Sequence, residues 1–211
     1  MLSIHGCGWT SLLWEDESVM SAAVAQPPLK TWTRAELDAL DAAGLLAGTR
    51  FELIEGEIFD KMGQNPPHAA AVSILAAAVS EVFGATKVRT QSPVEPADAE
   101  SARSLPHPDV AVTREPGPAY RSSHPGAADV LLIAEAADST IDYDVKRKGR
   151  LCARAGFVEY IVIDLNERQL LVFRSPRGGV YTEIHVLRPG DVFHPLIAPG
   201  SEIEVVQLFG D

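Results

Sequence analysis

The segment Asp129-Val-Leu-Leu-Ile-Ala-Glu135 constrains the fold more than any other stretch of the chain. Five apolar residues in a row between two acids predict a strand covered on both faces, so layers must pack against each side of a sheet. Glu135 then stands at the strand's end. A carboxylate there is costly unless it is paired, hydrogen-bonded or bound to a cation. From this segment alone an equally simple outcome is that the strand stops and Glu135 points into water.

The rest of the chain supplies the other layers. Thr33 and Glu36 have the spacing of a capping box, which opens a short helix ending near Gly44. Arg50 to Phe59 alternates around Gly56 and predicts two short strands across a tight turn. Ala70 to Phe83 follows Pro66-Pro67 and precedes Gly84, which predicts a long, largely buried helix. Strands are expected at Thr86–Pro93, Pro108–Thr113, Asp129–Ala134 and Glu159–Asp164, with a Pro/Gly/Ser loop over Glu115–Ala128 and a helix from about Asp142 to Ala155. Gln169–Arg174 and Val180–Leu187 read as a hairpin, and Ile203–Leu208 as a final strand-like segment. The order predicts an α/β (α+β) fold, a mixed sheet flanked by helices.

The chain has 211 residues, room for one domain. Residues 1–27 read as a flexible tail or extension, with Met1 or Met20 as the start, and residues 28–211 as a single domain. Its 29 acids against 18 bases leave a net charge of −11, which excludes a polybasic role and binding of nucleic acid through an overall positive field. Cys7 and Cys152 lie far apart and fit no metal-ligand spacing, so a reducing compartment is the expectation. No run approaches the roughly 18 apolar residues that cross a bilayer, and the N-terminus lacks the pattern of a signal peptide. The chain therefore reads as cytoplasmic, without a membrane partner.

Chemistry concentrates in three places. Asp109 follows Pro108, which enforces extended backbone, and opens a second apolar strand. Beside Glu135 on a neighbouring strand it would form a pair of hard oxygen ligands suited to Mg²⁺ or Mn²⁺; alone, it could equally be a strand cap. The helix after Glu135 carries Lys146, Arg147, Lys148, Arg150 and Arg154. Charged helices are usually solvated surfaces, and Lys146 and Arg147 read that way. Lys148 instead shares a face with Asp144 and leads toward Leu151 and Cys152, from where it could lean over the acids. His68 and Gln91 are supporting candidates, each with a solvent-facing surface residue as its plain alternative.

These residues together resemble a known family. Phe51-Glu-Leu-Ile-Glu-Gly-Glu57, His68 on a long helix, Gln91-Ser-Pro-Val, Pro108-Asp109-Val-Ala-Val, Leu-Ile-Ala-Glu135, Asp144-x3-Lys148 and Ala-Arg-Ala-Gly-Phe-Val-Glu-Tyr-Ile-Val-Ile-Asp164 form an ordered series over roughly residues 30–190. The series is similar to the Uma-type restriction endonuclease family of the PD-(D/E)XK nuclease superfamily. The resemblance implies a restriction-endonuclease-like twisted mixed sheet flanked by helices, assembled as a homodimer. It implies a metal-dependent endonuclease acting on nucleic acid, DNA ahead of RNA. Asp109 and Glu135 would hold Mg²⁺ or Mn²⁺, Lys148 would serve the developing charge, and Glu55 would be a fourth member of the acidic site. Lys146, Arg150 and Arg154 would contact nucleic acid. Ala137 stands where the superfamily's usual lysine would, Ala-Ala-Asp follows Glu135 in place of a small apolar pair and Ser, and Cys152 replaces a common Tyr.

Two further readings stand beside this one. The first is a catalytically weak or inactive protein of the same fold, acting as a binding or regulatory homodimer. The second is a small metal-dependent hydrolase of other substrates, since clustered carboxylates alone do not specify phosphodiesters. The placement of Lys146, Lys148, Arg150 and Arg154 relative to Asp109 and Glu135 discriminates: bases facing the acids favour the nuclease, bases turned away favour the inactive form.

Overall fold

Strand pairing around the segment 130–137 organises everything else. The computed structural model describes residues 27–48, 50–61 and 65–210. The expected tail, with Cys7, lies outside them apart from residue 27.

The capping box forms as the sequence predicts. Thr33 accepts from the Glu36 amide while the Glu36 carboxylate accepts from the Thr33 amide, starting α1 (Arg34–Ala42). β1 (Phe51–Ile54) and β2 (Glu57–Asp60) pair antiparallel across Glu55-Gly56. Both turn residues are left-handed, φ 54° and 84°, as a type I′ hairpin turn requires.

α2 (Pro66–Phe83) starts four residues before the predicted helix, because Asn65 caps it by accepting from the His68 amide and prolines at the first positions need no donor. Among the described residues it is the one helix long and apolar enough, by length and composition, to cross a membrane. The sequence reading had no such run. Its Ala71, Val72, Leu75 and Val79 are buried against the sheet.

The remaining elements are β3 (Val88–Thr90), α3 (Asp98–Ser101), β4 (Val110–Thr113), β5 (Val130–Ala137), α4 (residues 141–154), β6 (Glu159–Asp164), β7 (Gln169–Arg177), β8 (Val180–Leu187), β9 (Val192–Phe193) and β10 (Ile203–Glu204). β3 to β8 form one six-stranded mixed sheet in chain order. All neighbours are antiparallel except β5 and β6, which run parallel. A parallel pair needs a crossover, and α4 is that crossover. α2 covers one face through Leu75, Val79, Leu132, Ala134 and Ile161; the other face buries Ile133, Val162, Tyr160 and Phe173 against Cys152 and Phe157. Every residue of β5 is buried, as expected of a strand covered on both sides.

Three expectations are corrected. The strand over Thr86–Pro93 shrinks to three residues, because a 3₁₀ turn occupies Ala85–Lys87 and Gln91 adopts φ 48°, which leaves the extended region. The final strand is only Ile203–Glu204, and a 3₁₀ turn follows at Val205–Phe209. The helix over residues 141–154 contains a π-helical turn, Asp144–Lys148, in which the Gly149 amide bonds back to the Asp144 carbonyl.

Candidate active site

β4 and β5 are antiparallel neighbours with Val110 opposite Ala134, so Asp109 and Glu135 fall side by side. The Asp109 amide donates to Glu135 Oε2 at 3.3 Å, and the Ala136 amide donates to Asp109 Oδ2 at 3.1 Å. The Asp109 carbonyl in turn accepts from the Gln91 amide at 3.0 Å, which ties the end of β3 to the site. Glu135 is not at a strand terminus: Ala136 and Ala137 continue β5 by pairing with Ile163 and Asp164. With 3% exposure, Glu135 does not point into water.

α4 crosses over the Glu135 side of the sheet. Its π turn puts Asp144 and Lys148 on the buried face together, and the Tyr160 hydroxyl holds that turn by donating to the Asp144 carbonyl at 2.9 Å. Lys148 Nζ lies 3.0 Å from Glu135 Oε1, 3.1 Å from Glu52 Oε1 and 3.8 Å from Asp144 Oδ1. From the first turn of α2, His68 Nε2 comes to 3.4 Å of Asp109 Oδ2, and Lys61, just after β2, places Nζ 3.5 Å from Asp109 Oδ1.

These groups line a cavity of about 480 Å³, within the usual range for ligand sites. Its carboxylates are Glu52, Asp60, Asp109, Glu135, Asp138 and Asp144; its cations are Arg50, Lys61 and Lys148. The excess of acid over base shapes the titration. Burial pushes Glu135 up to about 8, with Asp109 reinforcing the rise and Lys148 opposing it. Burial raises Asp144 as well, against Lys148 and the Thr140 hydroxyl. Burial works against the charged Asp109 too, but His68, Lys61 and the Ala136 amide outweigh it and hold this carboxyl well below the ordinary range. For Lys148 the surrounding acids overcome burial, so its ammonium stays charged. One acid ready to keep a proton beside one firmly ionised is the arrangement that neighbouring carboxylates adopt without a cation.

Asp109, Glu135 and Lys148 thus lie together, and His68 stands beside them rather than facing solvent as its plainer alternative had it. Glu55 does not join them. It occupies the hairpin turn, and its carboxylate pairs with Arg147 at 3.0 Å and Arg154 at 2.6 Å. The acid that β1 delivers is Glu52, flanked by Phe51 and Leu53 inside the strand and 3% exposed. Of the four bases expected to face the acids, only Lys148 lines the cavity. Arg154 is held by Glu55 and Glu100, Lys146 pairs with Asp142 on its own helix, and Arg150 is exposed. Gln91 lines an adjoining cavity.

Sequence reasoning also missed Lys61 and Tyr143. The Tyr143 ring packs 5.0 Å from that of Phe59, and its buried hydroxyl has no hydrogen-bond partner. A turn residue beside Gly56 faces solvent more readily than an acid embedded in Phe-x-Leu-Ile, and that local argument could have selected Glu52 over Glu55.

Among the described residues no three His, Cys, Asp or Glu side chains converge as a metal-holding group. A pair of carboxylates still suits Mg²⁺ or Mn²⁺, which take one or two protein carboxylates and leave other positions to water and substrate. Asp109 Oδ1 is buried without a hydrogen-bond partner, and the oxygens of Glu135 each keep acceptor capacity beyond one contact. The donor set fits such an ion.

The profile of the Uma2 family, described as putative restriction endonucleases, matches residues 35–206. A crystal structure from Anabaena variabilis, described as a putative nuclease belonging to DUF820, superimposes with a TM-score of 0.59 at 19% identity, covering 75% of this chain and 89% of that one. At that identity the likeness shows the fold. No curated protein matches the chain.

Proposed function

The chain belongs to the Uma2 family of putative restriction endonucleases, and from that membership and the geometry above we propose that it is a metal-dependent endonuclease whose centre is Asp109, Glu135 and Lys148. The observation that carries the proposal is the juxtaposition of Asp109 and Glu135 on adjacent strands under the Lys148 ammonium. A Mg²⁺ or Mn²⁺ ion held by Asp109 and Glu135 would polarise the scissile phosphate and make a bound water acidic. Lys148, charged and fixed by three acids, stabilises negative charge that develops near Glu135. His68 and Lys61 hold Asp109 ionised and orient it. Asp144 and Glu52 keep the lysine in place. Nucleic acid, DNA ahead of RNA, is the substrate of this proposal, and a homodimer in the cytoplasm its working form.

A second reading has a specific observation in its favour. Lys146, Arg150 and Arg154 lie away from the acids, and Lys148 engages Glu135 directly, which suits a weak or inactive protein of this fold that binds without cutting. Metal titration separates the two. The nuclease reading requires Mn²⁺ or Mg²⁺ to raise the thermal transition of the wild type and to leave that of Asp109→Asn unchanged; no metal response in the wild type sinks it.

A further inference from the structure

Four buried side-chain polar atoms lack a hydrogen-bond partner among the described residues: Arg89 Nε, Gln91 Nε2, Asp109 Oδ1 and Tyr143 Oη. Buried polar atoms are nearly always satisfied, so each calls for an explanation. Asp109 and Tyr143 line the cavity of the acids. Gln91 lines a second cavity of about 500 Å³ that shares Arg50 and Lys61 with the first. The two cavities therefore adjoin, and the shared wall is cationic.

Most polar side chains of the second cavity carry donors; Phe51 and His107, whose imidazole burial keeps neutral, complete its lining with Asp41. Arg50 is exposed, and among the described residues its guanidinium pairs with no acid. Lys61 lines both cavities; its ammonium donates to the His107 carbonyl and stands 3.5 Å from Asp109 Oδ1, which leaves one of its three N–H groups for a ligand. Gln91, a residue in the left-handed region, carries a buried amide nitrogen without a hydrogen-bond partner, and Thr90 lines the same cavity. Asp41, the one acid of its lining, is exposed, where solvent and salt screen it. An arginine, a lysine and a glutamine with an unpartnered amide nitrogen lining one space suit an oxyanion, and the volume admits a phosphate with its sugar.

We propose that the cavity lined by Arg50, Lys61 and Gln91 binds the sugar–phosphate next to the one that faces Asp109 and Glu135, so that the polynucleotide backbone is gripped from the β3 side rather than by the bases of α4. The proposal rests on the nuclease reading for the identity of the ligand. Arg50 and Lys61 line both cavities, but neither the Arg50 nor the Gln91 side chain pairs with Asp109, Glu135 or Lys148 among the described residues, so the two can fail separately. An adjacent backbone phosphate and a terminal phosphate share the same chemistry.

The test measures binding of labelled 12-residue DNA and RNA strands and duplexes, with 5′-phosphate or 5′-hydroxyl ends, by fluorescence anisotropy in EDTA and in Ca²⁺. Inorganic phosphate serves as competitor. Arg50→Ala and Gln91→Glu should each weaken binding about tenfold or more. Arg50→Ala should also reduce the slope of log affinity against log salt by about one. Both variants should keep the Mn²⁺-induced thermal shift of the wild type, which certifies their fold and separates this site from the metal centre. Asp109→Asn should lose the Mn²⁺ shift and keep oligonucleotide binding in EDTA. Binding that requires the 5′-phosphate assigns the cavity to strand ends; equal binding of both ends assigns it to internal phosphates. Wild-type affinity in both variants overturns the proposal, and so does a wild type that binds no strand in either EDTA or Ca²⁺. If the Mn²⁺ response is absent but binding depends on Arg50 and Gln91, the cavity stands and the metal centre falls.

Discussion

At the scale of single residues, the difference between Glu52 and Glu55 decides what the first hairpin contributes. Glu52 is buried against Lys148, whereas Glu55 makes surface pairs with Arg147 and Arg154. Glu55→Ala is expected to cost less than about 1 kcal/mol in urea unfolding and to leave catalysis within about twofold, since exposed pairs are worth little. Glu52→Ala should lower any cleavage rate about tenfold or more, because it frees the lysine that must stay fixed. Glu135 carries a pH signature of its own. Its native value of about 8 lies above the unfolded one of 4.5. The folded state therefore holds a proton that the unfolded chain releases in this window, so the associated stability is complete below about pH 4.5 and is lost as the pH rises through about 8. Glu135→Gln should accordingly raise the melting temperature at pH 8 and gain progressively less toward pH 4.5. Each kcal/mol would appear as about 2–4 °C. A gain that is largest in acid would contradict the assignment of the burial cost to this carboxyl.

At the scale of elements, the strand expected at 129–134, which in the structure runs on to Ala137, the capped helix α1 and both hairpins were legible because local rules dictate them: an apolar run, a capping box, and turns at Glu55-Gly56 and Gly178-Gly179, whose residues are all left-handed. The pairing of Asp109 with Glu135 was legible for a related reason, since each acid sits where an apolar strand exposes one polar position next to its neighbour. What was not legible depends on tertiary contacts. The truncation of β3 comes from Gln91 turning left-handed to bond the Asp109 carbonyl, and no local pattern announces that. The π turn of α4 is likewise held from outside the helix, by the Tyr160 hydroxyl on the Asp144 carbonyl and by Tyr160 ring carbons that lie 3.6 Å from where a Cβ on Gly149 would stand. Tyr160→Phe should therefore destabilise the protein by about 0.5–1.5 kcal/mol, the net worth of one hydrogen bond to a carbonyl that keeps its Gly149 partner. Because the turn also aims Lys148, the same variant should lose cleavage out of proportion to its stability. Full activity in a folded Tyr160→Phe would show that the turn needs no such support.

At the scale of the whole molecule, the net charge of −11 is unevenly spread: residues 1–60 carry ten acids and three bases, residues 61–140 nine and six, and residues 141–211 ten and nine. The nuclease reading of the sequence required the bases Lys146, Lys148, Arg150 and Arg154 of α4 to face the acids. Much of that helix's basic run is instead spent on ion pairs that fasten α4 to the first hairpin and to α3, through Glu55, Glu57 and Glu100. Charge counts along a chain do not reveal which pairs are intramolecular, and this limited what the sequence could say about the substrate surface. The proposed homodimer predicts about 45 kDa in sedimentation, twice 22.7 kDa, and a monomer mass at micromolar concentration would remove it. The central claim is that Asp109, Glu135 and Lys148 hydrolyse nucleic acid with a divalent ion. Its most direct measurement is cleavage of mixed single- and double-stranded DNA and RNA in Mn²⁺ by the wild type, Glu135→Ala and Lys148→Ala purified identically. Cleavage by the wild type that vanishes in EDTA and drops at least about 10²-fold in each variant is the expected result; equal activity in all three would assign the cleavage to a contaminant and contradict the site.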